Sequence, residues 1–184
     1  MASVTSMRIQ PLNKQEIAAG KYVLYLMRSV RVRSSPSFSF ASRRANESGV
    51  PLLPAFIYQP DQYNLAQRKF LLEGLICLRN ALVTLGAPLL AIKATDEQKA
   101  MDIALKLSEQ ACEVITDAAY LRQDRTFEEN LNEKLIAKRR RLTRVEGNVC
   151  VPVTVLCAKP AFNATTIRKV AWHLLEKLRL EKWD

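Results

Sequence analysis

The residues best placed to do chemistry in this chain are cations. Arg28, Arg31 and Arg33 lie in a turn that ends on Ser34 and Ser35, and Arg43 and Arg44 follow shortly after; Lys138, Arg139, Arg140 and Arg141 are consecutive, flanked by Lys134 and Arg144. Residues 1–46 carry eight basic side chains against one acid, Glu16, and residues 134–144 carry six against none, in a chain whose net charge is +10. A charge excess confined to two segments suits a protein that meets a polyanion at defined places. Such cations neutralise phosphates, so binding falls steeply with salt and positions the partner without reading its sequence. Aromatic residues do not interleave the second tract, which argues for backbone contact over base stacking. Solvent, an acidic protein or lipid headgroups are the other partners such a surface can meet.

Other reactive residue types are sparse. His173 is the one histidine, and its neighbours Trp172, Leu174 and Leu175 place it on a terminal helix as a surface side chain. With no second imidazole and no CxxC pair it nucleates no ordinary zinc site. Cys77, Cys112, Cys150 and Cys157 are spaced as isolated thiols and read as reduced, buried residues of an intracellular protein. The five glycines are too scattered for a dinucleotide fingerprint or a phosphate-binding loop. Glu128, Glu129 and Glu133 read as charges on a solvated helix face. Asp117 is the one acid expected at a strand end, where it would cap the following turn.

The elements that must position these residues follow from hydrophobic pattern and local stop signals. Residues 22–27 (YVLYLM) form a continuous apolar run, the mark of a strand buried on both faces. Ser34 and Ser35 before Pro36 start a short helix to about residue 46. Residues 50–58 read as a second strand, in which Pro54 must sit where no partner needs its amide. Residues 65–85 are the clearest helix, closed by Gly86 and Pro88; Leu71, Leu75, Leu78, Leu82 and Leu85 form its stripe, and Leu72, Ile76 and Val83 are expected to widen that stripe into a face packed on the sheet. A strand over 88–92, a helix over 96–110 capped by Thr95, a short strand over 113–116, a helix over 126–137 and a strand over 142–145 come next. Residues 148–156 (NVCVPVTVL) read as a last extended segment, and a helix over 165–182 closes the chain. Alternation of this kind predicts a doubly wound α/β domain over residues 21–184, behind a basic extension at 1–20. Its mainly parallel sheet should hold about five strands, with the ends of the strands at Tyr22 and Val114 adjacent at a crevice.

At 184 residues, 48% hydrophobic and 25% charged, the composition is that of a chain with one sizeable core. No apolar run approaches the ~18 residues of a membrane span. The first fifteen residues contain Arg8, Lys14, Ser3, Thr5 and Ser6 without an acid, a match to an organelle transit sequence, although a chain that retains Met1 is expected to be uncleaved.

Several stretches carry a resemblance that spacing alone does not reveal. Leu12-Asn13 through Ala41, including GKYVLYLM and Arg31, resembles the opening of class II cyclobutane-pyrimidine-dimer photolyases. The runs RRANESGVPLLPAF, QRKFLLEGL and TDAAYLR do so as well. Toward the C-terminus Val151-Pro152-Val153, Lys159, Phe162, Ala164, Thr166, Ile167 and Arg168 are similar to the family's VPV, K, aromatic, A and TIR positions. The likeness implies the Rossmann-like, antenna-type α/β domain of a photolyase without the helical domain that holds the flavin and the DNA lesion. Two departures accompany it: Leu26 stands where the family has tryptophan, and Ser34-Ser35 where it has an Asp-Asn pair.

The resemblance and the charge pattern together point to a non-catalytic photolyase-like domain, repurposed as a structural subunit of a large assembly. The expected setting is a mitochondrial ribonucleoprotein such as the mitoribosome, met through Arg28, Arg31, Arg33, Arg43, Arg44, Lys138, Arg139, Arg140, Arg141 and Arg144. Its partners would be RNA backbone, neighbouring protein subunits, or both, with no small-molecule substrate, metal or cofactor. A basic loop and a missing flavin domain imply a colourless chain that holds neither FAD nor a deazaflavin tightly. The alternatives are the antenna half of a split or truncated photolyase, and an accessory subunit of an organellar membrane complex.

Overall fold

The structure is a computed structural model that describes residues 7–156 and 163–178. Cys157, Lys159, Phe162 and the last part of the expected terminal helix lie outside the described residues, as do Ser3, Thr5 and Ser6. In chain order the elements are β1 (Ile9–Pro11), β2 (Tyr22–Leu26), α1 (Pro36–Ser48), β3 (Leu52–Tyr58), α2 (Leu65–Thr84), β4 (Leu90–Lys93) and α3 (Glu97–Ser108). After these come β5 (Ala111–Asp117), α4 (Arg122–Ala137), β6 (Leu142–Val145), α5 (Val153–Leu156) and α6 (Ala164–Leu178).

Six strands form one sheet in the order β1-β6-β5-β2-β3-β4, as a doubly wound chain requires. Five are parallel, and β1 pairs antiparallel with β6, Ile9 opposite Val145. The sixth strand arises inside the segment set apart above as an extension; at three residues it is too short to show a hydrophobic period. Strand β2 is central. Its alternate side chains Val23 and Tyr25, with Met27 just beyond its end, pack with Phe38, Phe40, Leu75, Leu78 and Leu82 of α1 and α2, while Leu24 and Leu26 pack with Met101, Ala104, Leu131 and Leu135 of α3 and α4. Burial on both faces is why its sequence is apolar without alternation.

Local chemistry sets the boundaries. The Ser35 hydroxyl accepts the amide of Phe38 at 3.3 Å to start α1, and Gly49, at φ 64°, ends it in the left-handed region. Asn64 and Gln67 form a capping box on α2. The cap of α3 is Asp96, not Thr95: Asp96 Oδ1 accepts the Lys99 amide at 2.7 Å, while the Thr95 hydroxyl donates to Asp96 Oδ2. Pro54 is tolerated because the carbonyls of Pro51 and Ala55 face β2, which turns Pro54 toward β4, whose ladder begins one residue later at Ala55. Gly20 lets the chain approach β5, since a Cβ there would lie 2.6 Å from the Cys112 nitrogen.

Of the thiols expected to be buried, Cys112 is, on β5, whereas Cys77 and Cys150 are exposed, on the outer side of α2 and in the loop after β6. Two further expectations fail for identifiable reasons. Residues 148–156 do not form a strand: the Arg8 guanidinium donates to the carbonyls of Glu146, Val149 and Cys150 at 2.8 to 2.9 Å, and the Glu146 carboxylate accepts the amides of Val153 and Thr154, so the segment becomes a loop and a helical turn. Leu72, Ile76 and Val83 do not pack on the sheet. Only the arc of Leu71, Leu75, Leu78 and Leu82 reaches it, and the other three are 44%, 61% and 62% exposed.

Candidate functional site

The strand order reverses between β2 and β5, whose carboxyl ends lie side by side, Leu26 opposite Thr116. Asp117, fully buried, ends β5 and binds back to its neighbour. Its Oδ1 accepts the Tyr25 hydroxyl at 2.9 Å, and its Oδ2 accepts the amides of Arg28 and Ser29 at 2.8 and 3.2 Å and the Ser29 hydroxyl at 3.3 Å. Asp117 therefore caps the turn after β2, not the turn after its own strand. Burial, reinforced by the Asp117 charge, holds the Tyr25 phenol well above its usual range, so it remains a donor.

Beside this junction a crevice of about 280 Å³ opens between the carboxyl ends of β2, β3 and β5 and the helices α3 and α4. Arg28, Tyr63, Thr116, Phe127, Glu128 and Leu131 contribute to its walls. The Arg28 guanidinium lies 5.7 Å from the Phe127 ring centroid and pairs with Asp124 at 2.8 Å, which neutralises it at the crevice mouth. Glu128 is not a solvated face charge. It is 4% exposed, Oε1 accepts Arg144 at 2.9 Å, and Oε2 is buried without a partner among the described residues. Burial raises its pKa, against the opposing pull of Arg144. The signal was present in the sequence: Glu128 lies three and seven residues before Leu131 and Leu135, on the stripe that faces the sheet.

The predicted cations divide between the two ends of the sheet. At the carboxyl end, Arg28 pairs with Asp124, Arg31 donates to the Gly147 carbonyl at 2.7 Å, and Arg33 is exposed. At the amino end, Arg44 and Arg141 converge on the buried Glu113 at 2.8 and 3.4 Å, and Thr143 donates to the same carboxylate at 2.6 Å. Arg43 pairs with Glu47 over the Phe40 ring, and Lys138 pairs with Glu109, whose carboxyl that bond holds low. Arg140 donates to the carbonyls of Glu109 and Ala111 at 2.7 and 3.1 Å. Arg144 spans Glu128 and Gln10, and Arg139 is exposed at φ 53°. The ten cations thus do not form one surface, and eight already meet an internal carboxylate or carbonyl. His173 is exposed on α6, and the described residues hold no cluster of three or more His, Cys, Asp or Glu able to grip a metal.

Fold and crevice together define an open, doubly wound α/β domain of the class whose ligands bind at the carboxyl ends of strands where the order reverses. The family model for DNA photolyase matches residues 22–182, and the chain belongs to that family. Among solved structures it is similar to a bacterial class III photolyase from Agrobacterium tumefaciens, with a TM-score of 0.63 and 20% identity, over 90% of this chain and 33% of that one. That likeness shows the fold, that of a photolyase N-terminal domain, and the chain spans about a third of that photolyase's length. No curated protein matches it.

Because the folded protein raises the Glu128 pKa, the protonated form is the one the fold tolerates better. Its contribution is fully present below the ordinary value of 4.5 and is lost as pH rises through the raised one. Urea unfolding of wild type and Glu128→Gln from pH 4 to 8 measures this: wild type should lose stability relative to the variant as pH rises. A difference independent of pH would contradict the placement of Glu128.

Proposed function

We propose that this chain is the antenna-type α/β module of a photolyase system, and that its part is to hold a small planar ligand in the switch-point crevice while flavin-dependent chemistry resides outside these 184 residues. The observation that supports this is the crevice itself, which lies at the carboxyl ends of the strands where their order reverses and sets the apolar side chains of Ile57, Phe127 and Leu131 beside polar ones from Gln59, Gln62, Tyr63 and Thr116. A volume of about 280 Å³ lies at the lower end of the range for small-molecule sites, enough for a fused heteroaromatic ring system. Of the loop arginines, the one that reaches the crevice, Arg28, is neutralised by Asp124, while Arg31 is held by the Gly147 carbonyl. Titration with riboflavin, a 5-deazaflavin and folate, followed by fluorescence and calorimetry, tests the reading. At least one probe should bind one to one, and Phe127→Ala, which removes an aromatic wall of the crevice, should weaken it roughly tenfold. No saturable binding by any probe would sink it.

A second reading, docking onto the RNA backbone of an organellar ribonucleoprotein, is supported by Arg33 and Arg139, which are exposed and whose side chains have no partner among the described residues. On that reading Arg33→Glu or Arg139→Glu leaves the fold intact and lowers the salt slope of RNA affinity by about 0.7 to 0.9 for each phosphate no longer neutralised. Reversal of Arg140 and Arg141 should instead lower stability, because the carbonyls of Glu109 and Ala111 lose a donor and the buried Glu113 exchanges one of its two cations for a carboxylate. Affinity for a structured RNA at several salt concentrations decides the matter; absence of binding at low salt removes the ribonucleoprotein.

A further inference from the structure

Helix α2 carries an apolar seam that the fold does not use. Leu65, Leu72, Ile76 and Val83 are 81%, 44%, 61% and 62% exposed, and no described residue covers them. Their spacing is 7, 4 and 7 residues, so at 3.6 residues per turn all four fall within about 20° of one line. That line stands roughly a quarter to a third of a turn away from the buried arc of Leu75, Leu78 and Leu82. A helix face that meets only water is ordinarily polar, and this one runs about 27 Å from Leu65 to Val83.

The spacing is also palindromic. Leu65 and Leu72 stand nine and two residues before Gly74, and Ile76 and Val83 stand two and nine after it. A seam that reads the same in both directions is complementary to itself when two helices run antiparallel, the condition for an isologous, closed two-fold interface. We propose that α2 is a dimerisation element, its occupant a second copy of this chain, with Leu72 packed against Ile76 of that copy and Leu65 against its Val83. Gly74 marks the centre of the palindrome but is not part of the seam: it faces inward, where a Cβ would lie 3.3 Å from Val30 Cγ1.

The charges beside the seam give the dimer a distinctive signature. On one flank Lys69 and Glu73 lie 3.9 Å apart within the same helix. On the other flank the two-fold sets Arg68 near Arg79 of the second copy, twice over. Arg68 is drawn back by the carbonyls of Pro60 and Tyr63 at 2.9 and 3.4 Å, while Arg79 is exposed. Like charges across the seam weaken pairing at low ionic strength, and salt relieves them. Salt therefore strengthens this association, whereas it would weaken the binding of an acidic helix or a nucleic acid to the same cations.

Sedimentation equilibrium of the full chain across concentration, in low and high salt, tests the proposal. Wild type should show a monomer–dimer equilibrium that shifts toward dimer as salt rises. Ile76→Lys should be monomeric. Arg79→Glu places a carboxylate opposite Arg68 of the second copy and should tighten the dimer about tenfold at low salt. Both substitutions are at exposed side chains, and circular dichroism verifies that each variant is folded. A wild type monomeric at every concentration, a dimer that survives Ile76→Lys, or one weakened by Arg79→Glu would overturn the proposal; the first result would assign the seam to a different partner.

Discussion

The geometry of this domain turns on one buried carboxylate. Asp117 ends β5, the parallel neighbour of β2, at the point where the strand order reverses, and it accepts four donors from β2 and the turn that follows. A buried charge without such partners is prohibitive, whereas hydrogen bonds to an ionised acceptor contribute about 1.5–3 kcal/mol each. Removing Asp117 would orphan the Tyr25 hydroxyl and two amides at once. The turn it holds delivers Arg28 to Asp124 and Phe127, and thereby sets the mouth of the crevice.

The same need for internal partners governs the cations. An excess of +10 read along the chain suggests two docking surfaces, but side chains near each other in sequence need not act together in space. Residues 28–33 leave the carboxyl end of the sheet, and residues 138–141 enter its amino end. In between, most of the arginines serve as structural donors. Arg44 and Arg141 make a buried Glu113 tolerable, Arg140 ties the start of β5 to the end of α4, and Arg8 folds the loop after β6. Arginine suits this use because its planar fork satisfies several acceptors while remaining charged.

How much of this was legible in the sequence depends on the range of the interaction. The five parallel strands, the helices between them, the Ser35 cap and the adjacency of β2 and β5 follow from periodicity, short-range caps and connection rules, all carried by neighbouring residues. The switch-point crevice was legible as a position, but not in its lining. What escaped was set by contacts distant in sequence. Arg8 reaches residues 146–150 and converts an apparent strand into a loop, and β1 exists only because β6 offers an edge. Leu72, Ile76 and Val83 have the composition of a sheet-facing stripe, and only the position of α2 on the sheet leaves them in water. Glu128 was discounted for its charge although its spacing marked it as inward-facing, a case in which residue type misled and period did not.

The central claim is that Asp117 locks the turn after β2 and so shapes the site. Native-state hydrogen exchange at the Arg28 and Ser29 amides measures it directly. In wild type both should be protected well beyond an exposed turn, and in Asp117→Ala that protection should collapse while the Met27 amide, bonded to the Ala55 carbonyl at 2.8 Å, stays protected. Amides at Arg28 and Ser29 that exchange freely in wild type, or that are indifferent to the loss of Asp117, would contradict the account.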